Sequence, residues 1–275
     1  MARVFIDGFE AGDVLLWDTV TGGAVVATGI SGMDGTYCAS LLAGNRSLAK
    51  DLPAADEYYV AFKYRRTAAD YPYIIQFRNG STVLGSLRVE TSGSYRWSAC
   101  KGSTTNIAYS TSGSAINTTY FIEVYYKPHD STGVFQVKVD GVLVIDFSGD
   151  TTDAAAQINK IVFGYEISGS YGMYIDDVVI DNSAWPGNTR IQAIVPTGAG
   201  NSTQWTPSAG SNYQCVDEKP PSETDYVSTN TTGHLDQFAA GDLAGSIGSI
   251  KCVQVQALAK AEGAPTPTNL QLSVR

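Results

Sequence analysis

Nowhere do the 275 residues approach the ~20 consecutive apolar positions that a membrane-spanning helix needs. The opening Met1-Ala2-Arg3-Val4-Phe5-Ile6-Asp7 carries a basic residue but no apolar stretch ahead of a small-residue cleavage site. It does not read as a secretory leader, so a soluble protein that interacts with no membrane is expected. Basic charge is also short, with 18 Lys and Arg against 27 Asp and Glu, a net charge of −9 and a pI near 4.6. That balance disfavours the counterion release that drives binding to phosphate backbones, and nucleic acid is not an expected partner. The acidity sits mainly in the first part, where 13 basic residues face 20 acidic ones before position 183, against 5 and 7 after it.

Histidine and cysteine are too sparse for a zinc site: two histidines (His129, His234) and four cysteines (Cys38, Cys100, Cys215, Cys252), with no CxxC spacing. Buried free thiols are expected, a Cys215 to Cys252 bridge being the alternative. No Gly-rich phosphate loop and no Gly-x-Ser-x-Gly elbow is present. Glycoside hydrolysis needs paired carboxyl groups, and jelly-roll glucanases present them as Glu-x-Asp-x-x-Glu or a one-residue variant. Glu10, Glu57, Glu90, Glu123 and Glu166 all lack that spacing. A protein without enzymatic activity is the expectation.

Sustained helical periodicity is absent before Asp236, whereas short β-rich runs separated by turn residues recur throughout. Twenty-eight glycines and 16 tyrosines fit a turn-rich β-protein. The clearest element is Val134 to Val139, then Asp140-Gly141, then Val142 to Phe147. Asp-Gly favours the type I′ turn, in which both central residues take positive φ. The predicted hairpin pairs Val139 with Val142 and Val137 with Val144, with Phe135, Val137, Val139, Val142 and Val144 on one apolar face. Turn-forming residues from Asn182 to Asn188 predict a domain boundary, giving 1–182 and 183–275. In the second part Ile250 to Ala257 alternates like a half-buried strand, and so do the final residues 269–275.

The opening Phe5-Ile6-Asp7-Gly8-Phe9-Glu10-Ala11-Gly12-Asp13 and the closing Gly172-Met173-Tyr174-Ile175-Asp176-Asp177-Val178-Val179-Ile180 bracket a span suited to one sandwich. Between them lie Tyr120-Phe121-Ile122-Glu123-Val124 and the Val139-Asp140-Gly141-Val142 turn. Together these resemble the concanavalin A-like, laminin-G-like jelly roll and related carbohydrate-binding modules over roughly residues 4 to 182. The resemblance implies an all-β jelly-roll sandwich with first and last strands side by side, followed by a smaller β-rich domain. In the second part, Asn188-Thr189-Arg190, Trp205-Thr206-Pro207-Ser208, Val216-Asp217-Glu218 and Thr224-Asp225-Tyr226-Val227 follow in an order similar to virion proteins of tailed bacteriophages. That likeness implies a structural or accessory virion protein: capsid decoration, collar or tail surface. It would be assembled in the host cytoplasm with other virion proteins, as a homo-oligomer. The alternative is a carbohydrate-binding module that recognises cell-surface glycans.

The resemblance also implies a structural calcium. In related modules the Glu of a Gly-Phe-Glu opening and an Asp of an Ile-Asp-Asp-Val closing strand help to hold the ion, and Glu10 and Asp176 match them. On an ideal strand Asp176 shares the buried face with Val178 and Ile180, opposite Asp177 and Asp181. Hydrogen bonding of these carboxylates to neighbouring backbone N–H groups is the alternative role. Sugar rings stack on aromatic faces, and Tyr71, Tyr73, Tyr95 and Trp97, with Tyr64 and Phe77, are the candidates; the competing role for all of them is the sandwich core. Trp185, Trp205, Tyr213 and Tyr226 are the candidate interface anchors.

Overall fold

The computed structural model describes residues 3–42, 45–68, 73–90, 95–154, 156–164, 172–245, 248–261, 270–272 and 274. The chain forms two compact units, Met1–Ala193 and Ile194–Arg275.

The described part of the first unit is all β. In chain order the strands are β1 (Arg3–Asp7), β2 (Thr19–Thr21), β3 (Val25–Thr28), β4 (Tyr37–Leu42), β5 (Ser47–Ala55), β6 (Tyr58–Arg66), β7 (Tyr73–Asn79) and β8 (Thr82–Glu90). They continue with β9 (Arg96–Lys101), β10 (Thr105–Gly113), β11 (Thr119–Lys127), β12 (Gly133–Val139), β13 (Val142–Gly149), β14 (Ile158–Gly164) and β15 (Gly172–Asp181). An eight-stranded sheet runs β13-β12-β11-β6-β15-β4-β3, with β1 also on β15; a seven-stranded sheet runs β10-β9-β8-β7-β14-β5-β2. Every pairing is antiparallel, and the two sheets enclose one apolar core, which is the jelly-roll sandwich expected. The opening and closing motifs meet where Phe5 faces Ile180 and Asp7 faces Val178.

Period-2 alternation fills that core. Phe62 of one sheet meets Phe163 of the other edge-on at 4.9 Å, and Trp17 closes on Phe163 at 5.8 Å. Farther along, Phe77, Tyr126 and Phe135 pack together, with the Tyr126 hydroxyl donating to Thr151 O at 2.9 Å. A buried ring of this size contributes about 1.5–3 kcal/mol relative to an exposed one.

The Asp140-Gly141 turn has φ of 51° and 81°, and Val139 pairs with Val142 as the sequence predicts. One residue beyond, a bulge at Val137/Lys138 shifts the register, so Val137 faces Ile145 rather than Val144. Ile145 therefore enters the core, while Val142, expected on the apolar face, is 63% exposed.

The first unit runs past Asn182 because the segment after β15 is fastened to the eight-stranded sheet. The N–H of Gly187 donates to Glu123 Oε1 (3.0 Å), and that of Ile191 to Asp177 Oδ1 (2.7 Å). Ile191 and Ile6 cover the small apolar patch of Ala61, Phe121 and Val179 on the sheet's outer face.

In the second unit, β16 (Pro196–Thr203) pairs with β19 (Asp236–Ala240), and β17 (Thr206–Pro207) with β18 (Val227–Ser228); a 3-10 turn spans Asn212–Cys215. Asp236 ties these pieces together, accepting from the Trp205 N–H (3.1 Å) and Asn212 Nδ2 (2.6 Å). Residues 250–257, expected as a strand, form none and are exposed, as are 270–272 and 274 of the final run; 269, 273 and 275 lie outside the described residues. Alternation makes a strand only when a neighbouring strand takes up its backbone groups, and no described segment pairs with these.

Candidate functional site

The outer face of the seven-stranded sheet is polar, yet much of it is closed to water. On β7, Ile75 and Phe77 enter the core while Gln76 and Arg78 face the opposite way. Ser86, Arg88 and Glu90 do the same on β8, and Ser98 and Cys100 on β9. Cross-strand pairing aligns Gln76 with Ser86, Ser86 with Cys100, and Cys100 with Asn106 of β10. Arg88 lies between Tyr73 and Ser98. Gln76, Ser86 and Ser98 are 0% exposed, and the Arg88 side chain is 15% exposed.

One hydrogen-bonded network spans these strands. Arg88 Nη2 donates to Glu90 Oε2 (2.8 Å) and Asn106 Oδ1 (3.0 Å), and its Nη1 reaches the Tyr73 hydroxyl at 3.5 Å. Asn106 Oδ1 also accepts from the Ser98 hydroxyl (2.6 Å) and the Cys100 thiol (3.1 Å), while its Nδ2 leans toward Glu90 Oε2 (3.4 Å). Burial pushes the Cys100 thiol up, against the pull of Arg88, so it is a neutral donor here. Beside this network, Arg78 donates through Nε (2.9 Å) and Nη2 to Gln76 Oε1. Among the described residues, the buried donor nitrogens Gln76 Nε2 and Arg88 Nε have no acceptor.

Of the described sugar-stacking candidates, Tyr73 alone sits in this network. Trp97 is 0% exposed in the core, edge-on to Tyr64 (5.6 Å) and Tyr120 (5.5 Å), and presents no face to a sugar; Tyr64 and Phe77 are core residues too. Tyr95 packs against the core with the Arg66 guanidinium 4.2 Å from its ring centre. Tyr71 lies outside the described residues. Gln76, Arg78, Arg88, Glu90 and Asn106 are the residues that sequence reasoning missed. Polar residues at every second position of a strand read as an ordinary solvent face, and only their burial sets them apart.

Glu10 and Asp176, the calcium candidates, both hold the turn that leads into β4. Glu10 Oε1 accepts from the N–H groups of Thr36 (2.8 Å) and Tyr37 (3.0 Å), and Asp176 Oδ2 from that of Asp34 (3.0 Å). Gly35, at φ +67°, leaves room for this, since a Cβ there would lie 2.1 Å from Glu10 Oε1. A bulge between Asp176 and Val179 breaks the ideal alternation, with Asp177 at φ +49°, so both aspartates are buried rather than on opposite faces. Burial, then the charges of Asp177 and Glu10, push Asp176 up to about 8. Burial likewise pushes the Cys38 thiol up to about 12, and Asp176 and Glu10 add to the rise. Lys63 pairs with Asp34 and lies 3.8 Å from Asp177 Oδ2, and the charge of Arg190 also acts on Asp34. Among the described residues no three Asp, Glu, His or Cys side chains converge as a metal-binding group. A calcium ion would therefore draw most of its six to eight oxygens from backbone carbonyls and water.

Trp185, expected as an interface anchor of the second part, belongs to the first unit. It stands edge-on to the stacked pair Tyr59 and Tyr125, whose ring centres are 4.3 Å apart, and Lys138 Nζ lies 3.8 Å over its ring. In the second unit Trp205 donates from Nε1 to His234 O (3.2 Å), Tyr213 is half-buried in the 3-10 turn, and Tyr226 is exposed.

No family model matches the chain, and no curated protein sequence matches it. Solved structures do match the fold. An endo-β-1,4-glucuronan lyase from the fungus Trichoderma reesei aligns over 66% of this chain and 96% of its own, at 14% identity and a TM-score of 0.51. The first unit shares its fold with that lyase. The cellulose-induced protein Cip1 aligns over 69% of this chain and 99% of its own (14% identity, TM-score 0.49), and the alginate lyase Aly36B over 67% and 94% (19%, 0.44).

These comparisons correct two expectations. The solved structure that shares the fold is named as a glucuronan lyase and not as a virion protein, so the virion reading gives way to the glycan alternative. The expectation of no enzymatic activity rested on a missing carboxylate spacing that serves hydrolysis. A lyase on the same fold cleaves by elimination and has no need of that pair, so the missing spacing excludes only one chemistry.

Proposed function

We propose that the first unit binds a glycan on the outer face of the seven-stranded sheet, across β7, β8, β9 and β10. The observation that carries this reading is the polar network of Tyr73, Arg88, Glu90, Ser98 and Asn106, in which Arg88, Glu90 and Asn106 stay half-buried and open to the outer side. An outward sheet face that served only as a wall would set such side chains in bulk water or replace them by apolar ones. Sugar hydroxyls both donate and accept, and the half-buried Arg88, Glu90 and Asn106 side chains offer them donors and acceptors. The name of the fold neighbour, a glucuronan lyase, agrees with this reading.

Titration of the full chain with soluble oligosaccharides by calorimetry is the test. At least one glycan is expected to bind, and Arg88→Ala to weaken it by roughly 10- to 100-fold, since a hydrogen bond to a charged group contributes about 1.5–3 kcal/mol. The melting temperature of the variant is measured in parallel, because Arg88 also supports Glu90 and Asn106. Binding that survives the substitution unchanged would put the site elsewhere.

A structural calcium held by Glu10 and Asp176 is a second proposal. What favours it is the burial of Asp176 beside the charges of Asp177 and Glu10, with the Lys63 ammonium engaged by Asp34 and Asp177 instead. A bound cation would let Asp176 ionise, and a ligand held only by the folded state adds its binding free energy to stability. Purified protein is then expected to contain calcium, and chelation to lower the melting temperature by several degrees. Metal-free protein that melts identically with and without chelator would remove the ion and leave the carboxylates as backbone acceptors alone.

A further inference from the structure

Tyr109 of β10 extends the row of side chains that crosses the proposed face. Ser98 lies opposite Arg88 on one side and Tyr109 on the other, and Arg88 lies opposite Tyr73. Directly paired residues of antiparallel strands share a face, so Tyr73, Arg88, Ser98 and Tyr109 stand in line on the outer side of the seven-stranded sheet. The row is closed to water at Tyr73 and Ser98 and opens at Tyr109, which is 42% exposed on the sheet's last strand. Arg96, opposite Glu90, places its guanidinium carbon 4.4 Å from the centre of the Tyr109 ring. A guanidinium at that distance takes one face of the ring and fixes its orientation, which leaves the opposite face to solvent. A single exposed tyrosine is ordinary on a protein surface. This one is held in place by a cation and stands beside the half-buried Arg88, Glu90 and Asn106, the last of them three residues earlier on the same strand.

We propose, building on the glycan reading above, that Tyr109 is the stacking platform of this face and takes a pyranose with equatorial hydroxyls from a β-1,4-linked chain. Such a sugar turns its C–H bonds toward the two faces of its ring and its hydroxyls outward around the rim. Laying a C–H face on the tyrosine removes apolar area from water on both partners. An axial hydroxyl on the stacked face would instead lose its water without gaining a hydrogen bond. Tyr109 and Arg88 lie two strands apart, about 9–10 Å, so a short oligosaccharide with one ring on Tyr109 reaches Arg88, Glu90 and Asn106 with the hydroxyls of its neighbouring units. Because Arg96 already fixes the ring, little side-chain freedom is lost on binding.

The experiment titrates the full chain, Tyr109→Ala, Tyr109→Phe and Arg88→Ala with cellohexaose and xylohexaose by calorimetry, within a wider panel of soluble oligosaccharides, and records each melting temperature. At least one of the two probes is expected to bind. Tyr109→Ala is expected to weaken it about ten-fold or more with the melting temperature unchanged, since the side chain is exposed and the loss is that of a stacked ring. Tyr109→Phe keeps the ring and is expected to retain the affinity. Binding that Arg88→Ala weakens and Tyr109→Ala does not would overturn the platform and spare the glycan reading. A loss in Tyr109→Phe as large as in Tyr109→Ala would assign the contact to the hydroxyl and overturn stacking. Binding of another oligosaccharide of the panel but of neither probe would overturn the sugar class proposed here and spare the glycan reading. Binding of none would overturn both.

Discussion

Replacing Gly164 by valine is expected to lower the melting temperature of the first unit by about 10 °C or more. Gly164 ends β14 opposite Ser47 of β5 and has φ +85°, a conformation that a β-branched residue adopts only under strain. A Cβ at this position would lie 2.4 Å from the backbone oxygen of Arg46 and 3.3 Å from Ser47 Cα. Both belong to the adjoining strand or the residue before it, held by the ladder, so neither side can yield. Backbone strain of about 1–3 kcal/mol and overpacking of about 1–3 kcal/mol add to a large share of the 5–15 kcal/mol that holds a domain folded. Gly141→Val is the control: its φ is +81°, but nothing lies within 4 Å, so it bears the conformational cost alone. Thermal unfolding followed by tryptophan fluorescence checks the pair. Equal, small shifts for both would mean that β14 and β5 do not meet in this register.

A fall in stability between pH 4 and pH 6 is the second large effect expected, and it is assigned to Asp7. This residue is buried, with Oδ1 accepting from the Phe9 N–H (2.7 Å) and Oδ2 from Trp17 Nε1 (2.8 Å). Burial pushes its pKa up from 3.8 to about 6, against the pull of those two hydrogen bonds, with Asp13 raising it and Lys50 lowering it further. Below pH 4 both folded and unfolded chains hold the proton, and Asp7 contributes no pH dependence. Between pH 4 and 6 the unfolded chain has lost the proton that the folded one keeps, so each rise in pH favours unfolding. Above pH 6 both are ionised and the loss is complete, to a ceiling of about 3 kcal/mol from a shift of roughly two units. Asp7→Asn has nothing to titrate, so the difference between wild type and variant is expected to change by up to that amount across the window. Parallel curves in urea unfolding at pH 4, 5 and 6 would reject the assignment.

The sandwich is legible in the sequence because its signals are local. Alternation in Phe135, Val137 and Val139, the Asp140-Gly141 turn, and the bracketing motifs around Phe5 and Ile180 each follow from neighbouring residues alone. What escapes is whatever depends on partners distant in sequence. Trp97 and Tyr73 look alike as aromatic residues near strands, yet one fills the core and the other joins the polar network on the outer side of the seven-stranded sheet. Gln76, Arg88 and Asn106 look like solvent-facing residues, since nothing in their spacing tells that three strands bring them together under cover. Val137 shows the same limit in register, where a bulge that the sequence does not mark moves its partner from Val144 to Ile145. Trp185 follows the last strand and reads as the start of something new, but the Tyr59 and Tyr125 rings hold it to the sheet. Residues 250–257 err the other way, with strand-like alternation and no strand beside them.

Hydrogen exchange on the full chain, with and without a saturating oligosaccharide, tests the glycan-binding face most directly. Two surfaces compete: the network on β7 to β10, and the Tyr59, Tyr125 and Trp185 cluster on the outer face of the eight-stranded sheet. Ligand is predicted to slow exchange at backbone amides of β7, β8 and β9, with β11, β12 and the segment around Trp185 unchanged. Protection confined to β11, β12 and Trp185, or no protection anywhere under conditions of measured binding, would contradict it.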